Sequence, residues 1–231
     1  MPGQVALVTG ANRGIGAELA EQLHTQGWTM LLGVRDLGKG RETARAIAPG
    51  SERLLPVKLD VSDPDDAAAA AEWAAGRVEQ VDAVINNAAI LYDPGERAIS
   101  VDLASVHQAM ETNLYGAWRV CQAFLPLLRR SEHPRIVNVS SEGGSISEMT
   151  GGAPAYSVSK AALNALTRLL AGELRRDRIL VNAICPGWTD TDMGQGGRPV
   201  RDGARSVLWA VDLPDDGPTG GFFRDGRPLP W

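Results

Sequence analysis

The 231-residue sequence predicts an α/β protein built on a doubly wound, seven-stranded parallel sheet with helices on both faces. Three observations support this fold class. Short apolar runs that end in Gly, Asn or Pro alternate with longer segments of helical spacing, a glycine-rich loop follows the first run, and polar residues follow several later runs. Because no second periodic region, internal repeat or linker interrupts this pattern, residues 1–231 are predicted to form a single domain.

The first predicted strand covers residues 5–9 and leads through TGANRGIG into a helix with apolar residues at helical spacing. Gly10, Gly14 and Gly16 allow the backbone to turn sharply and to approach a pyrophosphate closely, while the N-terminus of the helix offers free N–H groups and a positive dipole end. The loop is therefore interpreted as a phosphate cradle. Because the glycine spacing departs from G-x-G-x-x-G, a glycine-rich turn without a ligand is the alternative.

The end of the second predicted strand, residues 28–34, bears on the choice of cofactor. In a dinucleotide-binding sheet this point meets the adenosine ribose, where an arginine suits a 2′-phosphate and an acid binds a free 2′-hydroxyl. Arg35, together with Arg13 in the glycine loop, favours NADP(H). Asp36 keeps NAD(H) possible, since it stands at the distance from the glycine loop that is typical of the NAD signal. Solvated loop charges are the third interpretation.

Later strands are predicted at residues 54–59, 81–85, 135–139 and 179–184, with a seventh in the C-terminal GGFFRDGRPLPW. Asp60 and Val61 follow the third strand, at the sheet edge where α/β proteins bind ligands, so they are candidates to hold the adenine. A helix-capping role is the alternative for Asp60. The small residues of NNAA after the fourth strand would permit close approach of the backbone to a cofactor ribose.

The strongest candidates for chemistry lie on the helix after the segment GGSISEMTGGAP. Tyr156 and Lys160 are four residues apart and share one face of that helix. A tyrosine hydroxyl, with a pKa near ~10, carries protons at neutral pH only if a positive charge stabilises the phenolate, and Lys160 could supply that charge. A solvated helix face is the alternative. Asn113 lies inside a long helix predicted over residues 105–128. Asn is unfavourable in a helix interior, so this residue either has a function or is exposed to solvent.

A segment at about 190–205 is rich in Gly, Arg and Pro and has little periodicity, so it is predicted to be a mobile loop over the site. Five large side chains could line an apolar pocket there, although ordinary packing is an equal alternative for each. They are Leu91, Tyr92, Met149, Trp188 and Met193.

Composition narrows the function classes. The formal net charge of −5 gives no general attraction to nucleic acid or to an anionic membrane, and no apolar run reaches the ~20 residues that span a bilayer. Cys121 and Cys185 lack metal-ligand spacing and are too few for a disulfide framework, which favours reduced thiols in a cytoplasmic protein and predicts no metal site. Because few residues precede QVALVTG in this sequence, export is not expected.

Several motifs occur along the chain in a fixed order: TGANRGIG, LDV at 59–61, NNAA at 86–89, Asn113, IVNVSS, YSVSK and PGWTDTDM. In this order and with these intervals the set resembles the classical short-chain dehydrogenase/reductases, and PGWTDTDM with the C-terminal tail is most similar to their carbonyl reductase-like branch. The resemblance covers essentially the whole chain. It implies a Rossmann fold, a hydride transfer between C4 of a nicotinamide and a carbonyl or carbinol carbon, and a homodimer or homotetramer, with monomers known in that branch.

The resemblance also implies roles for individual residues. Tyr156 would give its proton to the carbonyl oxygen, and Lys160 would lower the pKa of that tyrosine and hold the nicotinamide ribose hydroxyls. Ser141 would hydrogen-bond the substrate oxygen, and Asn113 would position a water in the proton path. Ser141 is preferred over Ser140 because the family's catalytic serine is usually the second of such a pair, and Ser140 would point to the other face of a continuing strand.

A cofactor-binding set follows from the same resemblance. It comprises Gly10, Arg13, Gly14, Ile15 and Gly16 at the pyrophosphate, Arg35 at the 2′-phosphate, Asp60 and Val61 at the adenine, Asn87 near the adjoining ribose, and Pro186, Gly187 and Thr189 at the carboxamide, besides Tyr156 and Lys160. Two departures matter. Ala89 stands where the family usually has Gly, which adds a methyl group near the cofactor. Val34 stands where the NAD-selecting acid normally falls, so NADP(H) is the preferred cofactor.

The sequence thus predicts an NADP(H)-dependent oxidoreductase that reduces a ketone or aldehyde, or oxidises a secondary alcohol in reverse. Two alternatives remain at this point. One is a non-catalytic NADP(H)-binding sensor or scaffold, since a fold does not guarantee chemistry. The other is an NAD-dependent alcohol dehydrogenase.

Overall fold

The structure is a computed structural model that describes residues 3–231. Its strands are β1 (Val5–Thr9), β2 (Thr29–Val34), β3 (Leu54–Lys58), β4 (Ala83–Asn86), β5 (Arg135–Val139), β6 (Leu180–Ile184), β7 (Phe222–Arg224) and β8 (Arg227–Pro228). Its α-helices are α1 (Gly14–Thr25), α2 (Leu37–Ile47), α3 (Asp66–Ala75), α4 (Leu103–Met110), α5 (Ala117–Leu128), α6 (Pro154–Glu173) and α7 (Val200–Val211). Within residues 3–231 no helix is long and apolar enough to cross a membrane.

The strands form one sheet in the order β3-β2-β1-β4-β5-β6-β7-β8, which is the strand order of a doubly wound dinucleotide-binding sheet with two strands added at one edge. β1 to β7 pair in parallel, whereas β8 pairs antiparallel with β7. The α/β Rossmann prediction is confirmed, but the count of seven strands is wrong by this hairpin. Asp225 and Gly226 both adopt positive φ, as a two-residue Asp-Gly hairpin turn requires.

The sheet is buried on both faces, which explains why its strands are continuous apolar runs. Leu31, Leu7, Val84, Ile136 and Val181 stand in register across five strands and face a core shared with α3, α5 and α6. The residues that follow the first four of them face the opposite core, shared with α1 and α7. Since parallel strands covered by helices need apolar side chains in both directions, the alternation of polar and apolar residues disappears.

The long helix predicted over residues 105–128 is divided in two. A π-helical segment, Glu111–Gly116, separates α4 from α5. Asn113 lies within it and is only 1% exposed, so the alternative of solvent exposure is wrong. A Cβ on Gly116 would lie 2.8 Å from Val61, which shows how closely this segment packs against the residue after β3. Bulges of this type occur often at functional sites.

The segment predicted as a lid at about 190–205 is shorter than expected, because α7 begins at Val200. Residues 186–199 contain no regular element, although a bridge between Thr189 and Arg198 closes the base of the loop. Arg198 also forms a bidentate ion pair with Asp225 in the β7–β8 turn, at 2.9–3.0 Å. The irregular segment is therefore anchored at its C-terminal end to the edge of the sheet.

Candidate active site

A cavity of about 1220 Å³ opens along the carboxyl ends of the strands, from the residues that follow β3 to those that follow β6. Eleven of the predicted site residues line it: Gly10, Arg13, Gly14, Ile15, Arg35, Asp60, Val61, Asn87, Tyr156, Lys160 and Pro186. The other predicted residues, Gly16, Asn113, Ser141, Gly187 and Thr189, lie outside this lining. The cavity passes between β1 and β4, the point where the order of the strands reverses and where such sheets bind ligands.

The glycine loop has the backbone geometry expected of a phosphate cradle. Gly10 and Gly14 adopt φ of +66° and +54°, a region that other residues rarely enter. Gly16 has a different role, because a Cβ there would lie 2.3 Å from the carbonyl oxygen of Gly10 and close to Asn87. The N-terminus of α1 receives no hydrogen bond from the side chain of its capping residue, Arg13. Its first N–H groups therefore suit an anionic group in the cavity.

Two polar residues at the strand ends are used by the protein itself. The Asn87 side-chain amide donates to the carbonyl oxygen of Thr9 at 2.9 Å and so joins the end of β4 to the start of the glycine loop. The Asp60 carboxylate accepts hydrogen bonds from the backbone N–H and the hydroxyl of Ser62, at 3.0 and 2.7 Å. Asp60 thus stabilises a local turn, whereas the capping residue of α3 is Asp65, so the helix-capping alternative for Asp60 is wrong. Both Asp60 and Asn87 also line the cavity.

The rim after β2 is basic. Arg35 and Lys39 are exposed and line the cavity, and no carboxylate within residues 3–231 forms an ion pair with either side chain. Asp36 caps α2, because its Oδ1 accepts hydrogen bonds from the N–H groups of Gly38 and Lys39, at 2.7 and 3.3 Å. Lys39 was not predicted; it follows Arg35 by four residues in the first turn of α2. This rim suits an anion.

Tyr156 and Lys160 lie at the other side of the cavity, after β5. Lys160 is 2% exposed, its ammonium donates to the carbonyl oxygen of Val139 at 2.8 Å, and it lies 5.6 Å from the centre of the Tyr156 ring.

The two serines after β5 differ in burial and in hydrogen bonding. The Ser140 hydroxyl is buried and donates to Asn164 at 2.6 Å, whereas Ser141 is half-buried and lies beside Tyr156. Ser140 lines the cavity and Ser141 does not, so the preference for Ser141 stays a prediction that depends on its hydrogen bond with Tyr156.

The pKa values of the pair differ from the expectation. Burial raises the pKa of Tyr156 to about 12, and a hydrogen bond with Ser141 opposes that rise. Burial lowers the pKa of Lys160 to about 8. The expectation that Lys160 lowers the pKa of Tyr156 is therefore not met in this structure. Loss of water disfavours both charged forms, and the ammonium donates to a backbone carbonyl instead of the phenol.

Asn113 joins the loop after β4 to α6. Its carboxamide oxygen accepts from the N–H of Ile90 at 2.8 Å, while its amide group donates to the Ile90 carbonyl oxygen at 3.0 Å and to Ser159 at 2.9 Å. The Ser159 hydroxyl in turn donates to the carbonyl oxygen of Tyr156 at 2.7 Å. Because both amide hydrogens are used, the predicted contact of Asn113 with a water cannot come from this donor group. Ser159 was not predicted.

The turn after β6 is braced from within. Gly187 has a φ of +73°, and the Thr189 hydroxyl, which is buried, donates to the carbonyl oxygens of Gly187 and Pro186 at 3.0 and 3.2 Å. Thr189 thus shapes the wall that Pro186 presents to the cavity. Of the five side chains considered for an apolar pocket, Tyr92 and Met193 line the cavity, whereas Leu91, Met149 and Trp188 do not.

Strand order, glycine loop and basic rim together define a dinucleotide-binding α/β protein. The family model for short chain dehydrogenases matches residues 4–201. The chain is 31% identical to "Short-chain dehydrogenase/reductase 1" of Saponaria officinalis, over 98% of this chain and 95% of that protein. It is 30% identical to "Carbonyl reductase [NADPH] 3" of Mus musculus, over 99% of this chain and 98% of that protein.

A crystal structure of NADPH-bound carbonyl reductase from chicken fatty liver superposes with a TM-score of 0.88 and 28% identity, covering 99% of this chain and 94% of that one. The chain belongs to the short-chain dehydrogenase/reductase family, and the predicted similarity to its carbonyl reductase-like branch is confirmed. It is therefore an oxidoreductase of that family.

Proposed function

We propose that the protein is an NADP(H)-dependent reductase of ketones or aldehydes, and a secondary-alcohol dehydrogenase in reverse. One observation carries the proposal: a single cavity has the Tyr156–Lys160 pair at one side and the cations Arg35 and Lys39 at the other. The ends of β5 and β2 are three strand spacings apart, about 14 Å. That separation suits an extended dinucleotide whose nicotinamide faces the pair and whose 2′-phosphate faces the cations.

The chain's own residues fit this cofactor. The glycine loop and the N-terminus of α1 would bind the pyrophosphate, and Arg35 with Lys39 would bind the 2′-phosphate. NAD(H) is disfavoured because Val34 stands at the position of the acid that would bind a free 2′-hydroxyl, and because Oδ1 of the neighbouring Asp36 is used in capping α2. Two relatives, a carbonyl reductase named for NADPH and one crystallised with NADPH, support the same choice. The bound cofactor supplies the hydride.

The residues near β5 account for the proton. With a pKa of about 12, Tyr156 keeps its hydroxyl proton at neutral pH and can give it to a carbonyl oxygen. Ser141, beside the tyrosine, donates a hydrogen bond to the same oxygen as negative charge develops there. Lys160 is charged below a pKa of about 8, and its ammonium, 5.6 Å from the centre of the Tyr156 ring, would hold the nicotinamide ribose hydroxyls beside the tyrosine.

The direct test is oxidation of NADPH, followed by its absorbance, against a panel of aldehydes, ketones, quinones and ketoacyl thioesters. We expect turnover of at least one carbonyl class and a higher kcat/KM with NADPH than with NADH. Tight NADPH binding without hydride transfer to any member of the panel would instead favour the sensor or scaffold. A higher kcat/KM with NADH would favour the NAD-dependent alcohol dehydrogenase.

A further inference from the structure

Asp93 is a buried carboxylate that the proposed reaction does not use. It lies in the loop between β4 and α4 and is only 2% exposed. Its Oδ2 accepts a hydrogen bond from the backbone N–H of Ala155 at 2.6 Å. Ala155 is the second residue of α6, and Tyr156 is the third. A buried acid from a distant loop therefore contacts the turn that carries the tyrosine.

The N-terminus of α6 depends on this contact. Its capping residue, Ala153, has no side-chain hydrogen bond to the helix, and its first residue, Pro154, has no N–H to donate. The N–H of Ala155 is then the first donor of the helix, and Asp93 accepts it. A carboxylate at this position also interacts favourably with the positive end of the helix dipole. Asp93 thus replaces the local cap that the sequence of α6 lacks.

Further hydrogen bonds hold the same turn. The N–H of Gly95 donates to the carbonyl oxygen of Gly152, just before α6. From the other direction, Ile90 binds Asn113, which donates to Ser159, and Ser159 donates to the carbonyl oxygen of Tyr156. Two direct hydrogen bonds, from Asp93 and Gly95, therefore join this loop to the start of α6, and a relay through Asn113 and Ser159 adds an indirect link from Ile90.

We propose that Asp93 is a positioning residue for Tyr156. It touches neither the phenol nor the cavity, and it acts by fixing the first turn of α6, so that the hydroxyl is held where the substrate oxygen binds. This inference rests on the proposed function, because it concerns the acid of that reaction. A displacement of about 1 Å in a reacting group is enough to reduce a rate about a hundredfold.

The experiment compares Asp93→Ala with Asp93→Asn. The alanine variant loses the acceptor, and we expect kcat to fall at least about tenfold while the KM for NADPH changes less than about twofold. Because the asparagine oxygen can still accept from Ala155, that variant should recover kcat to within about threefold of the wild type. The matched control is Asp102→Ala, which removes an exposed cap of α4, at 3.0 Å from the N–H of Ala104. It should lower Tm without lowering kcat by more than about twofold.

Amide hydrogen exchange gives a readout that does not need turnover. Asp93→Ala should speed exchange in residues 155–160, and Asp93→Asn should restore protection. If the alanine variant does not fold, Asp93→Ser, whose shorter side chain carries an acceptor, should show an intermediate kcat and intermediate protection.

The inference would be overturned by a folded Asp93→Ala enzyme with unchanged kcat, by exchange that stays slow in that turn, or by an Asp93→Asn enzyme as slow as the alanine variant. A wild type that transfers no hydride would reject the proposed function instead, and the exchange data would still decide whether Asp93 orders the turn of Tyr156.

Discussion

The two ends of the cavity hold their positive charges in opposite ways. Lys160 is almost completely buried and donates to the carbonyl oxygen of Val139, and burial lowers its pKa to about 8. Arg35 and Lys39 are exposed and form no ion pair with a carboxylate within residues 3–231. A buried cation must be held by the protein at a cost in folding free energy, whereas an exposed cation stays solvated until an anion arrives. The buried end suits chemistry and the exposed end suits selection of the cofactor.

The largest effect is expected at the buried end. Tyr156→Phe removes the proton that the carbonyl oxygen needs and keeps the ring, so kcat should fall by about 10²–10⁴. Because the phosphate contacts lie elsewhere, the Kd for NADPH, measured by fluorescence titration, should change less than about threefold. Substantial remaining turnover would reject Tyr156 as the acid, and the buried end of the cavity would then have no assigned role in the chemistry.

Lys160→Met tests the cost of the buried charge. In the folded state the pKa of Lys160 is about 8, below its ordinary value of 10.5. Between these pKa values the unfolded chain binds more protons than the folded chain, so the contribution of Lys160 makes wild-type stability rise with pH. Below pH 8 Lys160 is charged in both states, and the full free-energy cost of burying its charge is present. Each pH unit corresponds to about 1.4 kcal/mol, so the cost is at most about 3 kcal/mol.

The measurement is the difference in free energy of unfolding between Lys160→Met and the wild type. From pH 8 to pH 10.5 we expect this difference to shift in favour of the wild type by up to about 3 kcal/mol. The contribution of Tyr156 titration to the free energy of unfolding cancels in this difference, since the tyrosine is present in both proteins. Wild-type kcat/KM should also fall above about pH 8, as Lys160 loses its charge while Tyr156 keeps its proton. A difference that is independent of pH would mean that Lys160 is not destabilised by burial.

Sequence position predicted which edge of the sheet forms the cavity, because the topology of a parallel sheet determines where strand ends lie, although Ser141, Gly187 and Thr189 are outside the lining. Arg35, Asp60 and Asn87 all line the cavity as expected. The alternation of side chains along a strand distinguished Ser141 from Ser140, and that choice stays a prediction, since the Ser140 hydroxyl is bonded to Asn164 but Ser140 also lines the cavity.

Contacts between distant segments could not be predicted in this way. The composition of the loop after β4 gives no sign that Asp93 reaches the N–H of Ala155, 62 positions further on. Asn113 stood out as an unfavourable residue in a helix, but the π-helical segment that buries it, and its close packing against Val61 at Gly116, have no signal in the local sequence. One local signal was available and not used: the Asp225-Gly226 pair, which is a typical hairpin turn and explains the eighth strand.

Arg35→Ala tests the exposed end. Loss of a charge-assisted contact with the 2′-phosphate should raise the KM for NADPH about tenfold and the KM for NADH less than about twofold. Lys39→Ala should act in the same direction, by about threefold, because its ammonium lacks the planar fork of arginine. Arg45→Ala is the control, since that exposed residue lies in the last turn of α2, outside the cavity lining. Equal effects on both cofactors would overturn the assignment of the rim to the 2′-phosphate.

Substitution of Asp192 is expected to change NADPH binding least among these variants. It tests whether the cations at the exposed end are held in place by the protein. It forms an ion pair with Arg13 that links the glycine loop to the segment before α7, and both side chains are more than two-thirds exposed, at 74% and 70%. An exposed pair contributes about 0.2–1 kcal/mol, so it competes only weakly with a phosphate for the guanidinium. Asp192→Asn frees Arg13 and removes a negative charge from the mouth of the cavity. We therefore expect the Kd for NADPH to fall, by at most about fivefold, and the gain to disappear as salt screens exposed charges. If NADPH bound more weakly to this variant instead, Asp192 would be holding Arg13 in place for the phosphate. The exposed end would then position its cation through a protein contact, as the buried end does for Lys160.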